Sequence, residues 1–139
     1  MDVQLVSPEQ IAYSGEAEMV LCRTVGGGDI AFLPGHAPFI GALAVHPVTV
    51  RPLSGPDLVI AVHGGFVEVS GGKVVVLSDV AELPESIDTN RAQRALDRAE
   101  TALRADPLDQ DALAARSRAE LRLAVAGGHH GAAQPVGTH

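Results

Sequence analysis

Between Glu82 and Arg91 the chain changes the period of its apolar residues, and this limits its fold more than any other feature. Before the break, Val, Ile and Leu run in short stretches punctuated by glycine and proline. After it, alanine dominates and apolar positions recur every three or four residues. Side chains alternate with a period of two on a strand and of about 3.6 on a helix, so neither pattern can continue as the other. Pro84 cannot donate to a strand ladder and holds Leu83 extended, which puts the boundary there. The expected division is a β domain over residues 1–84, a helical one over 85–127, and a disordered small-residue tail over 128–139.

In the β part the strand-like segments are "DVQLVS", "AEMVLCRTV", "DIAFLP", "HPVTVRP", "DLVIAVHGGFVEV" and "KVVVLSDV". Ser14-Gly15, Gly26-Gly27-Gly28, Pro34-Gly35, Ser54-Gly55-Pro56, Gly64-Gly65 and Gly71-Gly72 read as the turns between them. Many short strands with such turns predict an all-β sandwich or barrel whose small core is filled by branched aliphatics. Cys22 falls in an alternating run and reads as a core residue. A single cysteine allows no internal disulfide.

In the helical part, Ser86 or Asp88 can cap a first helix whose apolar stripe is Ala92, Ala95, Leu96, Ala99, Ala102 and Leu103. Arg91, Arg94 and Arg98 flank that stripe. Pro107 ends the helix, and Asp109 or Asp111 caps a second over roughly residues 110–126. Its expected stripe is Leu113, Ala114, Leu121, Ala124 and Val125, with Arg118 and Arg122 alongside and Leu123 off it. A short link between two such helices implies an antiparallel hairpin. The fold class is therefore an N-terminal all-β sandwich followed by a C-terminal antiparallel two-helix hairpin.

Charge separates the same two parts. Residues 1–86 hold three basic and ten acidic side chains, whereas residues 87–139 hold seven of each, every basic one an arginine. The formal net charge of −7 argues against general nucleic-acid binding. No apolar run is long enough for a membrane span, and "MDVQLVSPEQ" lacks the basic start and apolar stretch of a secretory leader.

Catalytic motifs fail on spacing. "SGGK" at Ser70–Lys73 has Val67 and Val74 where a phosphate loop needs glycine and a hydroxyl residue. His36 has no serine or cysteine partner in a recognisable motif. His129 and His130 alone do not close a metal site. The arginines are more informative. Arginine forks suit phosphates and carboxylates, and a helical hairpin could bring Arg91 and Arg98 toward Arg118 and Arg122. Asp88 and Glu82 would then receive hydroxyl or amino donors. The competing reading is an ordinary solvated face, with the arginines paired to Asp97, Glu100 and Glu120.

Three segments, "GGDIAFLPGHAPFIGAL", "HGGFVEVSGGKVVVLSDVAE" and "IDTNRA", together resemble the epsilon-subunit family of bacterial F-type ATP synthases. "GGDIAFLPGHAPFIGAL", residues 27–43, is similar to the family's Pro-Gly-His-Ala-Pro signature, with Ala31 in place of the usual glycine. "HGGFVEVSGGKVVVLSDVAE", residues 63–82, matches its Gly-Gly-Phe strand pair and acidic close. "IDTNRA", residues 87–92, matches the nucleotide-binding pattern found in part of the family.

The resemblance implies a non-catalytic subunit of the rotating central stalk, held between the gamma subunit and the ring of c subunits. It implies coupling of proton flow to ATP synthesis, and a hairpin that reaches the alpha/beta head transiently to inhibit ATP hydrolysis. Asp29, Pro34, Gly35 and His36 become docking candidates toward gamma and the c ring. Glu82, Asp88, Arg91, Ala92, Arg98, Arg118 and Arg122 become candidates for an ATP site, although the link between the helices is a few residues shorter than in the family pattern. No cofactor is required, with ATP as a regulatory ligand. Membrane association would come only through the complex, at the cytoplasmic face.

Overall fold

The computed structural model describes residues 1–128; most of the expected tail, including His129 and His130, lies outside the described residues. Seven strands come first: β1 (Asp2–Ser7), β2 (Gln10–Thr24), β3 (Gly28–Phe32), β4 (Phe39–Pro52), β5 (Leu58–Ser70), β6 (Lys73–Leu77) and β7 (Ala81–Glu82). A single 3-10 turn over Pro84–Ser86 leads into α1 (Thr89–Ala105) and α2 (Gln110–Ala126). The division into strands and a helical hairpin follows the change of period.

The strands are ordered β1-β6-β5-β4-β2-β3, and β1 also pairs with β2, so the sheet closes on itself. The long β2 makes closure feasible: residues 10–16 pair with β1, and the stretch from Ala17 pairs with β4 and β3. Inside lie Phe32, Leu5, Ile60 and a set of valines that includes Val3, Val20, Val50, Val67 and Val76. Valine is stiff at χ1 and fits a pleated surface, which lets so aliphatic a core pack with a single large ring fully enclosed.

Two expected turns are strand interior. Ser14-Gly15 lies within β2, and Gly64-Gly65 lies within β5. The turn before β2 is instead at Pro8-Glu9. β4 also begins at Phe39, well before the expected "HPVTVRP" stretch.

The glycine pair in β5 has a structural task. Both residues have positive φ, 80° at Gly64 and 122° at Gly65, and a Cβ at Gly65 would run into the Leu77 carbonyl oxygen. Before the pair, Ala61 and Val62 meet β7; after it, Phe66 through Ser70 meet β6. The inside–outside alternation changes phase across it. Val59, Ala61 and His63 lie on the outer face up to that point, whereas Val67 and Val69 point inward beyond it.

Asp88 caps α1 and Asp109 caps α2, their side chains accepting from the N–H groups of Arg91 and Ala112. α2 is clasped on two sides, which explains the departures from its expected stripe. Leu121 and Val125 bury against Val59 and Ala61 of β5, with Ile87 beside them. Ala112 and Ala119 are buried seven residues apart, as are Ala92 and Ala99 on α1, the spacing of a close helix pair. A single-stripe reading cannot describe two contact faces, so Ala114 is exposed and Ala112 takes its place. Leu123 is half-buried.

Candidate functional site

The junction of sandwich and hairpin gathers most of the arginine-site candidates. Asp88 ends the extended segment, and its Oδ1 accepts from the Arg91 N–H at 3.0 Å, fixing the first turn of α1. Arg91, Ala95 and Arg98 then project along one face, about one turn apart. Arg122 reaches the same space from the last turns of α2. Glu82 arrives from β7 and Ser86 from the 3-10 turn. Together with Ala92 these residues line a cavity of about 320 Å³. It holds three guanidinium groups and two carboxylates, with two small alanines that leave room at the helix surface.

Arg118 and Arg94 do not line this cavity. Both are exposed, so the expected convergence of two arginine pairs becomes a convergence of Arg91, Arg98 and Arg122. Nor do the helix arginines pair with Asp97, Glu100 or Glu120. Among the described residues the one ion pair made by a helix arginine is Arg122 Nε to Glu82 Oε1, at 2.8 Å. Arg91 and Arg98 stand uncommitted at the cavity wall.

Glu82 has a second donor that the sequence reading missed. His63 Nε2 lies 2.8 Å from the same Oε1. The His63 side chain is only 5% exposed, and its Nδ1 is buried without a hydrogen-bond partner. Burial pushes the ring's pKa below its ordinary 6.5; the Glu82 carboxylate raises it, and Arg122 and Arg118 lower it further. The neutral ring carrying its proton on Nε2 is the form that fits. The signal for His63 was present: it continues the outward series Val59, Ala61, where a buried polar side chain needs a partner.

The docking candidates lie elsewhere. Asp29, at the opening of β3, is gripped by Arg23 across the β2–β3 ladder, at 2.8 Å from Nε and 3.4 Å from Nη2. Pro34, Gly35 and His36 occupy the turn beyond the close of β3, so the strand separates them from Asp29. Gly35 supplies a φ of 86°, and the His36 N–H donates to the Leu33 carbonyl at 3.0 Å. His36 Nδ1 lies 2.7 Å from the Ala37 carbonyl oxygen, and its ring stands edge-on to Phe32 at 4.9 Å. This turn is braced by its own side chains and presents a fixed shape.

No group of three or more His, Cys, Asp or Glu side chains among the described residues could hold a metal ion. The class so defined is a β-sandwich carrying a docked helical hairpin, with an arginine-lined cavity where the two meet. The family described as "ATP synthase, Delta/Epsilon chain, beta-sandwich domain" matches residues 1–84. An ATP synthase epsilon chain of Streptomyces coelicolor is 43% identical over 128 residues, covering 92% of this chain and 96% of that protein. One from Brevibacillus brevis is 44% identical over 103 residues, covering 74% and 77% respectively. The chain belongs to the ATP synthase epsilon-chain family.

Solved structures agree on the fold. A chain in the Euglena gracilis mitochondrial ATP synthase OSCP/F1/c-ring structure superposes with a TM-score of 0.63 at 24% identity, covering 90% of this chain and 76% of that one. A chain from the Tetrahymena thermophila mitochondrial ATP synthase central stalk and c ring gives 0.54 at 16%, covering 93% and 96%.

Proposed function

We propose that this chain is a non-catalytic central-stalk subunit of a proton-translocating F-type ATP synthase, sitting between gamma and the c ring, with a hairpin that restrains ATP hydrolysis. Membership of the epsilon-chain family supports the role in the complex. The finer assignment rests on the hairpin's contact with the sandwich. Few large side chains hold it, and Leu121 and Val125 supply an apolar contact worth on the order of a few kcal/mol. An element so lightly held can exchange between docked and extended positions and engage the alpha/beta head only when released. No helix among the described residues is long and apolar enough to cross a membrane, and attachment runs through the complex at its cytoplasmic face.

The cavity takes ATP as a regulatory ligand that favours the docked hairpin. The observation that carries this is the meeting of Arg91, Arg98 and Arg122, from two helices, around one polar space. Their forks suit phosphate oxygens, Asp88 and Glu82 suit amino or hydroxyl donors, and Ala92 leaves room for a flat ring. A ligand that bridges both helices binds only while they are paired, so its binding free energy adds to docking.

Calorimetry of the full chain with magnesium-free ATP tests the site. Binding that disappears in an Arg91→Ala, Arg122→Ala double variant is expected, and unchanged affinity in that variant would sink the assignment. The place in the complex is tested separately, since the chain must co-purify with a gamma-containing assembly from native membranes.

A further inference from the structure

We propose that His63 is a positioning residue for the arginine cavity: by sharing Glu82 Oε1 with Arg122, it ties the hairpin to the sandwich in a way that acid releases. The cavity wall and the docking contact meet in that one carboxylate oxygen. It accepts from His63 Nε2 on β5 and from Arg122 Nε on α2, both at 2.8 Å. Three elements are thereby joined: β5, β7 and α2. His63 follows Val59 and Ala61 in the outward series of β5, and those two residues receive Leu121 and Val125 of α2. The polar tie and the apolar contact therefore form and break together.

The arrangement tolerates only one protonation state. With its proton on Nε2 the ring donates to Glu82 and leaves a bare lone pair on the buried Nδ1. Protonation would place a second N–H where no acceptor stands, and a positive charge among existing ones. The charged groups acting on His63 are Glu82 from β7, which favours the imidazolium, and Arg122 and Arg118 from α2, which oppose it. The β4 residue paired with His63 is Val45, whose side chain neither donates nor accepts.

Burial and the two arginines prevail, so the docked state holds the ring's pKa below 6.5. For a base the sign follows directly. Undocking restores the ordinary affinity for a proton, so His63's contribution to docking is complete above about pH 6.5 and declines as pH falls below it. Undocking also dismantles the cavity, because Glu82 and Arg122 lose the contact that aligns them. The docking claim stands without any ligand; the ligand consequence rests on the ATP reading above.

Hydrogen exchange of the full-length chain, corrected for intrinsic rates and followed without nucleotide from pH 7.5 to 5.5, tests the tie. The α2 amides of Leu121 and Val125 should open more often at the acidic end, by up to about tenfold, while those of Val67 and Val74 in the sandwich stay protected. His63→Gln, whose amide can still donate to Glu82 but cannot titrate, should keep α2 protected with a flat profile. His63→Ala should lose α2 protection already at pH 7.5. His46 also lines a space beside α2 with Leu121, and burial lowers its affinity for protons, so it is the rival source of a pH response; His46→Gln should keep the wild-type slope.

The proposal is overturned if His63→Gln keeps the wild-type pH slope, if His63→Ala leaves α2 protection unchanged, or if His46→Gln flattens the profile. Calorimetry with ATP at the two pH values forms a second arm. Its affinity should fall with α2 protection in the wild type and hold steady in His63→Gln. Absence of ATP binding at either pH would remove the nucleotide reading and leave the docking result to judge the tie.

Discussion

Gly65 shows how a single residue can dictate the path of a strand. Its φ of 122° and its approach to the Leu77 carbonyl leave no place for a side chain. Gly65→Ala should therefore lower stability by about 2 kcal/mol or more, read as a lower urea midpoint, because the new methyl meets backbone that cannot move aside. Asp88→Ala removes the acceptor for the Arg91 N–H and should lower stability by about 1 kcal/mol, with the loss concentrated in the first turn of α1. Cys22 offers a measurement of pH response. Burial pushes its thiol up to about 12, so a thiol reagent at pH 8 should label it only as fast as the sandwich opens. Rapid stoichiometric labelling of the folded chain would contradict its place in the core.

At the scale of elements the hairpin is the least secure part, held on the sheet by Leu121, Val125 and the tie at Glu82. Leu121→Ala removes the larger apolar side chain and should cost about 2–4 kcal/mol of docking. The sandwich should remain intact, so protease cleavage should concentrate between Leu83 and Asp88 while residues 1–82 survive as a resistant fragment. Uniform degradation of the whole chain would show that the two parts fold as one unit.

The sequence announces these elements unevenly. The first strand could be read directly, and each helix cap could be narrowed to two residues, Ser86 or Asp88 and Asp109 or Asp111, of which Asp88 and Asp109 serve. Gly64-Gly65 and Ser14-Gly15 were misread because glycine marks a turn and a strand's close approach with the same letter. Only the register, which long-range pairing decides, tells them apart. In the cavity, Glu82, Asp88, Arg91, Ala92, Arg98 and Arg122 could be assembled from the helical pattern and the family resemblance. Arg118 could not be separated from Arg122, because both flank the expected stripe and only the second clasp on α2 turns one of them outward. His63 escaped notice because its partner is 19 residues away and no short motif joins them.

Across the whole molecule, charge is divided by task. The β part carries the net negative charge, and the helical part is balanced overall but presents three of its seven arginines at the cavity. Nucleotide binding driven by those arginines should weaken as salt rises, since exposed charges are screened within about 8 Å at physiological ionic strength. Affinity for ATP measured from 50 to 500 mM salt should fall steadily, and an affinity indifferent to salt would argue for a site built on apolar stacking instead. The alanines that pair the helices matter in another way. Ala92, Ala99, Ala112 and Ala119 are buried where most helix pairs would place leucine. When the helices separate, these positions present single methyl groups to water, and the larger buried side chains are few: Leu103 on α1, and Leu121 and Val125 on α2. An arm made this way can travel through solvent and return without adhering to whatever it passes.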